Sequence, residues 1–274
     1  LIYSKDDLNK RNINFFLLIK NSDIVHFFGA WTWVHIKSIF ISLLLRKKII
    51  ITPMGAFEEW SLSQKKLKKK VALFVYQKFI LKNSNLIHCT SESEEKNIKI
   101  LDKKIKTKII SHGLDGTDYK KNKIQNKKFR KMLFFSRIHK KKGLLEIINA
   151  WAILRPKNWQ LDIIGPPGDN TVDDIKKLII EKKLTKKIFI KEPVFENFKK
   201  KELFKKYDIS ILFSKNENFG YSILESLKHS IPVITTNNTP WNKIKKYDAG
   251  WYINYKFQDL VEILNHVFKI TNIE

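Results

Sequence analysis

The sequence predicts an α/β protein with two parallel-sheet domains, and three observations lead to this prediction. Short apolar runs alternate with helical patterns along the chain, which is typical of parallel strands joined by helices. The alternation stops once, in a polar, lysine-rich stretch that follows His112, and then resumes. With 274 residues and 43% hydrophobic residues, the chain can bury two modest cores.

The first series of elements defines an N-terminal domain that covers residues 1–118. Ser91 followed three residues later by Glu94 forms a capping-box pattern, so we expect a helix to begin there and to reach Leu101. The strands expected in this domain are 23–28, 49–52, 86–89 and 108–111, and its other helices are 31–45 and 63–81.

The second series defines a C-terminal domain over residues 131–274, after a linker at 119–130. Its expected strands are apolar runs at 132–135, 160–164, 188–190, 209–213 and 232–235. Its expected helices are 144–154, 172–183, 199–206, 221–229 and 257–269.

Composition narrows the class of protein. The formal net charge of +26 favours anionic partners, but the lysines are spread over nearly every element, so the charge identifies no partner by itself. The single cysteine, Cys89, excludes an internal disulfide framework and a cysteine zinc cluster, and it fits a reducing compartment. No apolar run approaches the roughly 18–20 residues that span a bilayer, and no signal peptide pattern precedes the first strand. We therefore expect a cytoplasmic location.

The stretch from Ser214 to Glu225 is the most informative part of the chain. An apolar strand ends there, the loop turns over Gly220, and a helix begins with its N–H groups unpaired, which is where an open α/β sheet holds anions. Glu217 and Glu225 lie on either side of the turn. Carboxylates accept hydrogen bonds from the vicinal hydroxyls of a sugar or ribose. Taken alone, the pair is better explained as a solvated loop glutamate and a helix-surface glutamate that favours the helix dipole.

The whole pattern, Glu-x₇-Glu around Asn-Phe-Gly and preceded by serine, resembles the donor site of retaining GT-B glycosyltransferases, in particular glycosyltransferase family 4. The resemblance implies two facing Rossmann-like domains. It also implies that Glu225 holds the ribose hydroxyls and that Glu217 holds the donor sugar near its anomeric carbon. The further donor-binding residues that it implies in this stretch are Asn218, Phe219, Gly220 and Tyr221.

Two further segments of the second domain are similar to this family. In Phe135–Gly143, the resemblance implies that Arg137 and Lys142 bind the donor diphosphate and that Ser136 lies beside it. Two cations at the end of a strand neutralise the charge of a departing diphosphate. In the segment that begins at Glu192, Pro193 and Val194 resemble a turn beside the nucleotide base, with Glu192 where the family usually has glycine.

The first domain carries the remaining resemblance. Residues 53–62 resemble a Pro-x-Gly-x-x-Glu-x-Trp region of bacterial polysaccharide and lipopolysaccharide transferases, which implies that Gly55 and Glu58 line the acceptor cleft. Residues 23–29 resemble a His-x-His-Gly strand end in which Phe28 replaces the second histidine. By this resemblance Gly29 lies on the acceptor side. His26 either approaches the donor sugar or is satisfied within the core.

The resemblance implies retaining transfer of a sugar from a UDP- or GDP-linked donor to a glycan or lipid-linked acceptor. It implies no cofactor and no metal site, with Glu217, Arg137, Lys142 and His26 as the catalytic groups. The family's first strand and glycine-rich loop have no counterpart before Asp23, so we expect an N-terminally truncated sequence.

The lysine-rich helix expected near residues 63–82 mixes lysines with apolar residues, as helices that lie on anionic membranes do. We therefore expect peripheral attachment to the inner face of the cytoplasmic membrane. One alternative is a non-catalytic basic protein that binds a membrane or nucleic acid, although no helix-turn-helix, zinc-finger or RNP pattern appears, and specific nucleic acid binding is not expected. A nucleotide-sugar epimerase or a phosphorylase-like GT-B enzyme is another alternative.

Overall fold

The structure is a computed structural model that describes residues 15–114, 129–169 and 171–270. The chain divides into two compact units, Leu1–His112 (unit 1) and Gly113–Glu274 (unit 2). Each unit contains one sheet whose strands pair in parallel, which confirms the predicted α/β class. The predicted linker lies outside the described residues except for its last two positions, and Arg130 already belongs to a strand.

Unit 1 has a four-stranded sheet in the order β1-β2-β3-β4. In chain order its elements are α1 (Phe15–Lys20), β1 (Ile24–Phe28), α2 (Trp33–Leu44), β2 (Lys48–Thr52), α3 (Glu59–Ser63), α4 (Lys66–Ala72), a π-helical segment (Leu73–Gln77), α5 (Lys78–Asn83), β3 (Leu86–Cys89), α6 (Glu92–Leu101) and β4 (Thr107–Ile109). Its core is formed by alternate strand residues and by apolar helix residues, including Ile49, Ile51, Ile87, Ile80 and Ile98.

The long basic helix expected at 63–81 is interrupted. Lys65 adopts a left-handed conformation with φ of 52°, so α3 and α4 are separate helices. The π-helical segment then adds a residue to one turn before α5 begins. Within this segment Gln77 is buried, whereas Phe74 is 91% exposed.

Unit 2 has a six-stranded sheet in the order β10-β9-β8-β5-β6-β7. In chain order its elements are β5 (Arg130–Phe135), a 3₁₀ turn (Lys140–Lys142), α7 (Leu144–Leu154), β6 (Trp159–Ile164), α8 (Thr171–Glu181), β7 (Ile188–Lys191), α9 (Asn197–Phe204), β8 (Ile209–Leu212), α10 (Tyr221–Lys228), β9 (Val233–Thr236), α11 (Lys243–Lys246), β10 (Gly250–Ile253) and α12 (Phe257–Lys269). The bounds of α7 and α12 match the prediction, because both are long and strongly periodic.

The order of strands sets the position of the site in unit 2. The chain builds β5, β6 and β7 in one direction and then returns to place β8, β9 and β10 on the other side of β5. Connections therefore leave β5 and β8 in opposite directions, which opens a crevice at their carboxyl ends. The sequence did not predict the 3₁₀ turn, α11 or β10 of unit 2, which have only three or four residues each.

The core of unit 2 is apolar on both faces of the sheet. One cluster includes Phe134, Ile148, Trp151 and Ile163, and a smaller cluster contains Phe135, Phe204 and Tyr207. Because apolar residues pack on both faces of the sheet, every residue of the central strands β8 and β9 is buried. Among the residues that the structure describes, every helix is too short or too polar to cross a bilayer.

Candidate active site

The candidate site of unit 2 is formed by loops at the carboxyl ends of β5 and β8. The backbone N–H of Lys215, in the loop after β8, donates to the carbonyl of Lys141, in the loop after β5, at 2.8 Å. A second contact joins the β8 loop to the loop after β9, because the N–H of Glu217 donates to the carbonyl of Asn238 at 3.1 Å. These contacts fix the loops that carry the predicted donor-binding residues.

Lys142 and Glu217 lie together at the centre of this site. The Nζ atom of Lys142 donates to Oε1 of Glu217, and the Ser214 hydroxyl donates to the same oxygen at 2.7 Å. The side chains of Lys142 and Glu217 are only 10% and 8% exposed. The sequence assigned the two residues to different parts of a donor, and the structure shows that they form one buried ion pair.

Gly143 makes this close approach of the two loops feasible. It has φ of +70°, and a Cβ at this position would lie 2.0 Å from the carbonyl oxygen of Phe213. Phe213 precedes Ser214, so the backbone contact that Gly143 allows brings the 3₁₀ turn with Lys142 against the end of β8. Only glycine fits between the two backbones.

Glu225, which the sequence assigned to the ribose, forms a different ion pair. Its carboxylate lies on the second turn of α10 and contacts Nζ of Lys200, on α9, at 2.5 Å. Both side chains are mostly buried. Lys200 also lies 5.6 Å from the centre of the Phe135 ring. Sequence reasoning missed Lys200, because nothing local distinguishes it from its lysine neighbours on α9.

The start of α10 is held by aromatic contacts. Gly220 has φ of +80°, and the carbonyl of Phe219 accepts a hydrogen bond from Nε1 of Trp241 at 2.5 Å. The Phe219 ring packs between Tyr221 and Trp241, with centroids 5.2 and 5.6 Å away. Asn218 is half-buried and precedes these residues in the same loop. These contacts hold the loop against the start of α10.

Arg137 and Ser136 follow the end of β5, as predicted. The backbone N–H of Ser136 donates to the carbonyl of Ile164 at 3.1 Å. Arg137 is exposed, and its aliphatic part lies against Gly168, where a Cβ would come within 2.8 Å of Arg137 Cγ. The structure therefore keeps the guanidinium at the surface of the crevice edge.

The remaining predicted donor residues lie after β7. Pro193 and Val194 are half-buried, and Val194 packs against the cluster that contains Phe135 and Phe204. Glu192, at the position where glycine was expected, is exposed. The next helix, α9, carries Lys200.

In unit 1, the loop after β2 is tied to α6 by Glu94. The carboxylate of Glu94 accepts from the N–H of Gly55 at 2.6 Å and from the N–H of Thr90 at 2.8 Å, and the residue is buried. The N–H of Glu94 bonds to the Ser91 hydroxyl at 3.2 Å, as the capping box predicts. In a reciprocal capping box the Glu94 carboxylate would accept from the N–H of Ser91. Here it accepts from the N–H groups of Thr90 and Gly55 instead, so the expected capping box was wrong in this detail. Glu58, three residues after Gly55, is buried.

His26 lies in the middle of β1, three residues before Gly29, and is exposed rather than enclosed in the core. Its Nε2 atom lies 2.7 Å from the hydroxyl of Thr52, and its ring stacks on Phe28 at 4.3 Å. Gly29 has φ of +92°, and its N–H donates to the carbonyl of Thr52 at 2.7 Å. Thr52 was not singled out from the sequence, although a polar residue that ends a buried strand is a usable signal.

Comparison with solved structures identifies the fold. Anabaena HepE (Alr3699), solved with UDP and glucose, is similar over 93% of this chain and 71% of that chain, with a TM-score of 0.75 and 18% identity. Sucrose-phosphate synthase from Thermosynechococcus elongatus matches 91% of this chain and 65% of that chain, with a TM-score of 0.72 and 18% identity. A glycosyltransferase from Rickettsia africae gives a TM-score of 0.68 at 20% identity over 98% of this chain and 74% of that chain. The fold of the chain is GT-B.

Sequence comparison agrees with the structural likeness. A 41.2 kDa protein of the cps region of Klebsiella pneumoniae is 25% identical over an alignment of 228 residues that covers 78% of this chain. The chain spans 60% of the length of that relative. The family model for glycosyl transferases group 1 matches residues 115–271, the segment that contains the Lys142–Glu217 pair and Glu225. Because this match covers more than half of the chain, the protein belongs to the group 1 glycosyl transferases.

Proposed function

We propose that the protein is a retaining glycosyltransferase that moves a sugar from a nucleotide-sugar to a glycan or lipid-linked acceptor. The observation that carries the proposal is the buried Lys142–Glu217 pair at the carboxyl ends of β5 and β8, within the segment that the family model matches. A cation beside a carboxylate suits a ligand that has an anionic diphosphate next to a neutral sugar.

Binding of a donor would redistribute the charges of the site. Lys142 and Glu217 neutralise one another in the structure, so neither charge is buried alone. A diphosphate would take Lys142 as its partner, with Arg137 at the edge of the crevice, and Glu217 would then accept hydrogen bonds from sugar hydroxyls. Lys142 and Arg137 would stabilise the negative charge that develops on the departing diphosphate.

Glu225 would hold the ribose in the same scheme. A carboxylate accepts two hydroxyl hydrogen bonds, and its pairing with Lys200 fixes its rotamer before the ligand arrives. Pro193 and Val194 lie between the end of β7 and α9, and they would pack beside the base. Asn218, Phe219, Gly220 and Tyr221 would present the start of α10 to the diphosphate or sugar.

The relatives suggest which nucleotide and which class of acceptor to test first. HepE was solved with UDP-glucose as well as with UDP and glucose, which makes UDP the first nucleotide to test here, with GDP second. The relative encoded in a cps region supports a role in the synthesis of a cell-surface polysaccharide or lipopolysaccharide. Gly55 and Glu58 of unit 1 would contact the acceptor.

Calorimetric and thermal-shift titrations with UDP, GDP and their sugar conjugates test the donor site. We expect one nucleotide to bind and stabilise the protein, and Glu225→Ala to lose that effect. Glu262→Ala is the matched control, because Glu262 is exposed on α12. If no nucleotide binds while anionic polymers do, the protein is a basic binding protein on a GT-B scaffold and the proposal is wrong.

The mechanism has two separate tests. We propose that transfer needs neither a metal nor a cofactor, because Arg137 and Lys142 supply the positive charge. Activity should therefore persist in EDTA. The retaining outcome is checked by NMR of the product, in which the transferred sugar should keep the anomeric configuration of the donor, and an inverted product would contradict it.

We also propose that unit 1 attaches to the inner face of the cytoplasmic membrane through α4, the π-helical segment and α5. The apolar residues exposed along this stretch are Leu67, Val71, Phe74, Val75 and Phe79. Lysines 66, 68, 70 and 78 are exposed on the same stretch, which carries no acidic residue. An apolar surface with lysines matches an anionic leaflet, where each lysine contributes about 1 kcal/mol.

Sedimentation with vesicles tests the attachment. We expect binding to vesicles that contain anionic lipid, weaker binding to neutral vesicles, and loss of binding in Phe74→Ser. Phe198→Ser is the matched control, because Phe198 is also exposed but lies on α9 of unit 2. Equal sedimentation with anionic and neutral vesicles would contradict the proposal.

A further inference from the structure

Two histidines and a threonine form a hydrogen-bonded row across three neighbouring strands of unit 1. Nε2 of His26, on β1, lies 2.7 Å from Oγ1 of Thr52, on β2. The same oxygen lies 2.9 Å from Nδ1 of His88, on β3. Nε2 of His88 lies 2.8 Å from the carbonyl oxygen of Ile110. We call His26, Thr52 and His88 the histidine row.

The chemistry of each group fixes the direction of every hydrogen bond in the row. The carbonyl of Ile110 only accepts, so Nε2 of His88 carries a hydrogen. In neutral His88, Nδ1 is then an acceptor, and the Thr52 hydroxyl must donate to it. Thr52 has no second hydrogen, so its oxygen accepts from Nε2–H of His26. The remaining nitrogen of His26, Nδ1, therefore has a lone pair.

This lone pair is available to a ligand. His26 is exposed, and its Nδ1 makes no hydrogen bond to any residue within 15–114, 129–169 and 171–270. Partial desolvation by the surrounding side chains, and then the neighbouring His88, lower the pKa of His26 below its ordinary value, which favours the neutral ring. Thr52 is fully buried between the two histidines, so it has little freedom to turn its hydroxyl elsewhere.

We propose that Thr52 and His88 are positioning residues that hold His26 as a hydrogen-bond acceptor for a hydroxyl group of the sugar substrate. The proposal rests on the proposed function for the identity of that substrate. Without Thr52, the His26 ring would exchange its proton between both nitrogens and present a donor part of the time. With Thr52 in place, His26 would select a hydroxyl that donates to it.

The tautomers are read directly by long-range ¹H–¹⁵N NMR of the full chain with labelled histidine, at pH 8. This pH is well above the ordinary imidazole pKa of about 6.5. We expect His26 and His88 of the wild type each to show the limiting pair of ¹⁵N shifts for an Nε2–H ring. In Thr52→Val we expect averaged shifts at His26 and unchanged shifts at His88, which keeps its bond to Ile110. Thr52→Ser should restore the limiting pair at His26.

A different pattern would overturn the proposal. An Nδ1–H ring at His26 in the wild type, or identical His26 shifts in the wild type and Thr52→Val, would show that Thr52 does not set the tautomer. The functional arm measures UDP release from UDP-glucose, where Thr52→Val should raise KM roughly fivefold and Thr52→Ser should not. An unchanged KM in Thr52→Val would also overturn the proposal. If the wild type neither binds nor cleaves UDP-glucose, the donor assignment fails separately, and the NMR result still decides whether the row exists.

Discussion

Replacing Lys142 by methionine tests whether the buried ion pair of unit 2 behaves as one unit. Lys142→Met leaves the Glu217 carboxylate buried, with the Ser214 hydroxyl as its remaining side-chain partner in the site. Breaking one side of a buried pair costs about 3–5 kcal/mol, because the other charge stays desolvated. Since Ser214 still donates to Glu217, we expect the low end, about 3 kcal/mol. For a unit of this size, that corresponds to a fall of roughly 6–12 °C in the unfolding temperature.

The double variant gives the decisive comparison. Glu217→Gln alone should cost a similar amount, because it leaves the Lys142 cation buried beside a neutral amide. In Lys142→Met with Glu217→Gln no charge remains, so we expect a loss of only about 1 kcal/mol, far below the sum of the single effects.

Scanning calorimetry measures these changes, and hydrogen exchange in β8 assigns the transition to unit 2. The control is Lys205→Met, which breaks a pair with Glu202 whose side chains are 44% and 65% exposed. This control should leave the unfolding temperature within about 1 °C. Additive single and double variants, or single variants that match the control, would refute the reasoning.

Two further predictions concern the backbone and the pH dependence. Gly143→Ala should destabilise unit 2 by more than about 2 kcal/mol in urea unfolding, because its Cβ would lie 2.0 Å from the Phe213 carbonyl in a left-handed conformation. Gly113→Ala, with nothing within 4 Å of its Cβ, should change stability by less than about 0.5 kcal/mol, and equal effects would contradict the argument. Burial lowers the pKa of His35 and of His112, so the unfolded chain binds protons that the folded unit 1 does not. Their contribution is complete above pH of about 6.5 and is lost as the pH falls below it. Amide protection factors in unit 1, corrected for the intrinsic exchange rate at each pH, should therefore be smaller at pH 5.5 than at pH 8, and equal protection factors would contradict the argument.

The sequence pattern predicted the secondary structure correctly where an element depends mainly on its own residues. The alternation of apolar runs and helices predicted two parallel sheets, and α7 and α12 were placed without error because their apolar residues recur at helical spacing. The pattern predicted less well where contacts with other elements determine the conformation. Lys65 breaks the basic helix with a left-handed conformation that its sequence does not announce, and β10 exists because it pairs with β9.

The sequence by itself determined which residues reach the candidate site. Strand ends and glycine turns put Arg137, Lys142 and Glu217 on loops and turns and Glu225 on the second turn of α10, since parallel strands all present their carboxyl ends at one edge. Only the tertiary structure decided their partners. Lys142 meets Glu217 across 75 residues, and Lys200 meets Glu225 across 25, because the strand order places β5 beside β8 and α9 beside α10. Such pairs depend on distances between elements that are far apart in the chain, and residue spacing along the sequence contains no record of them.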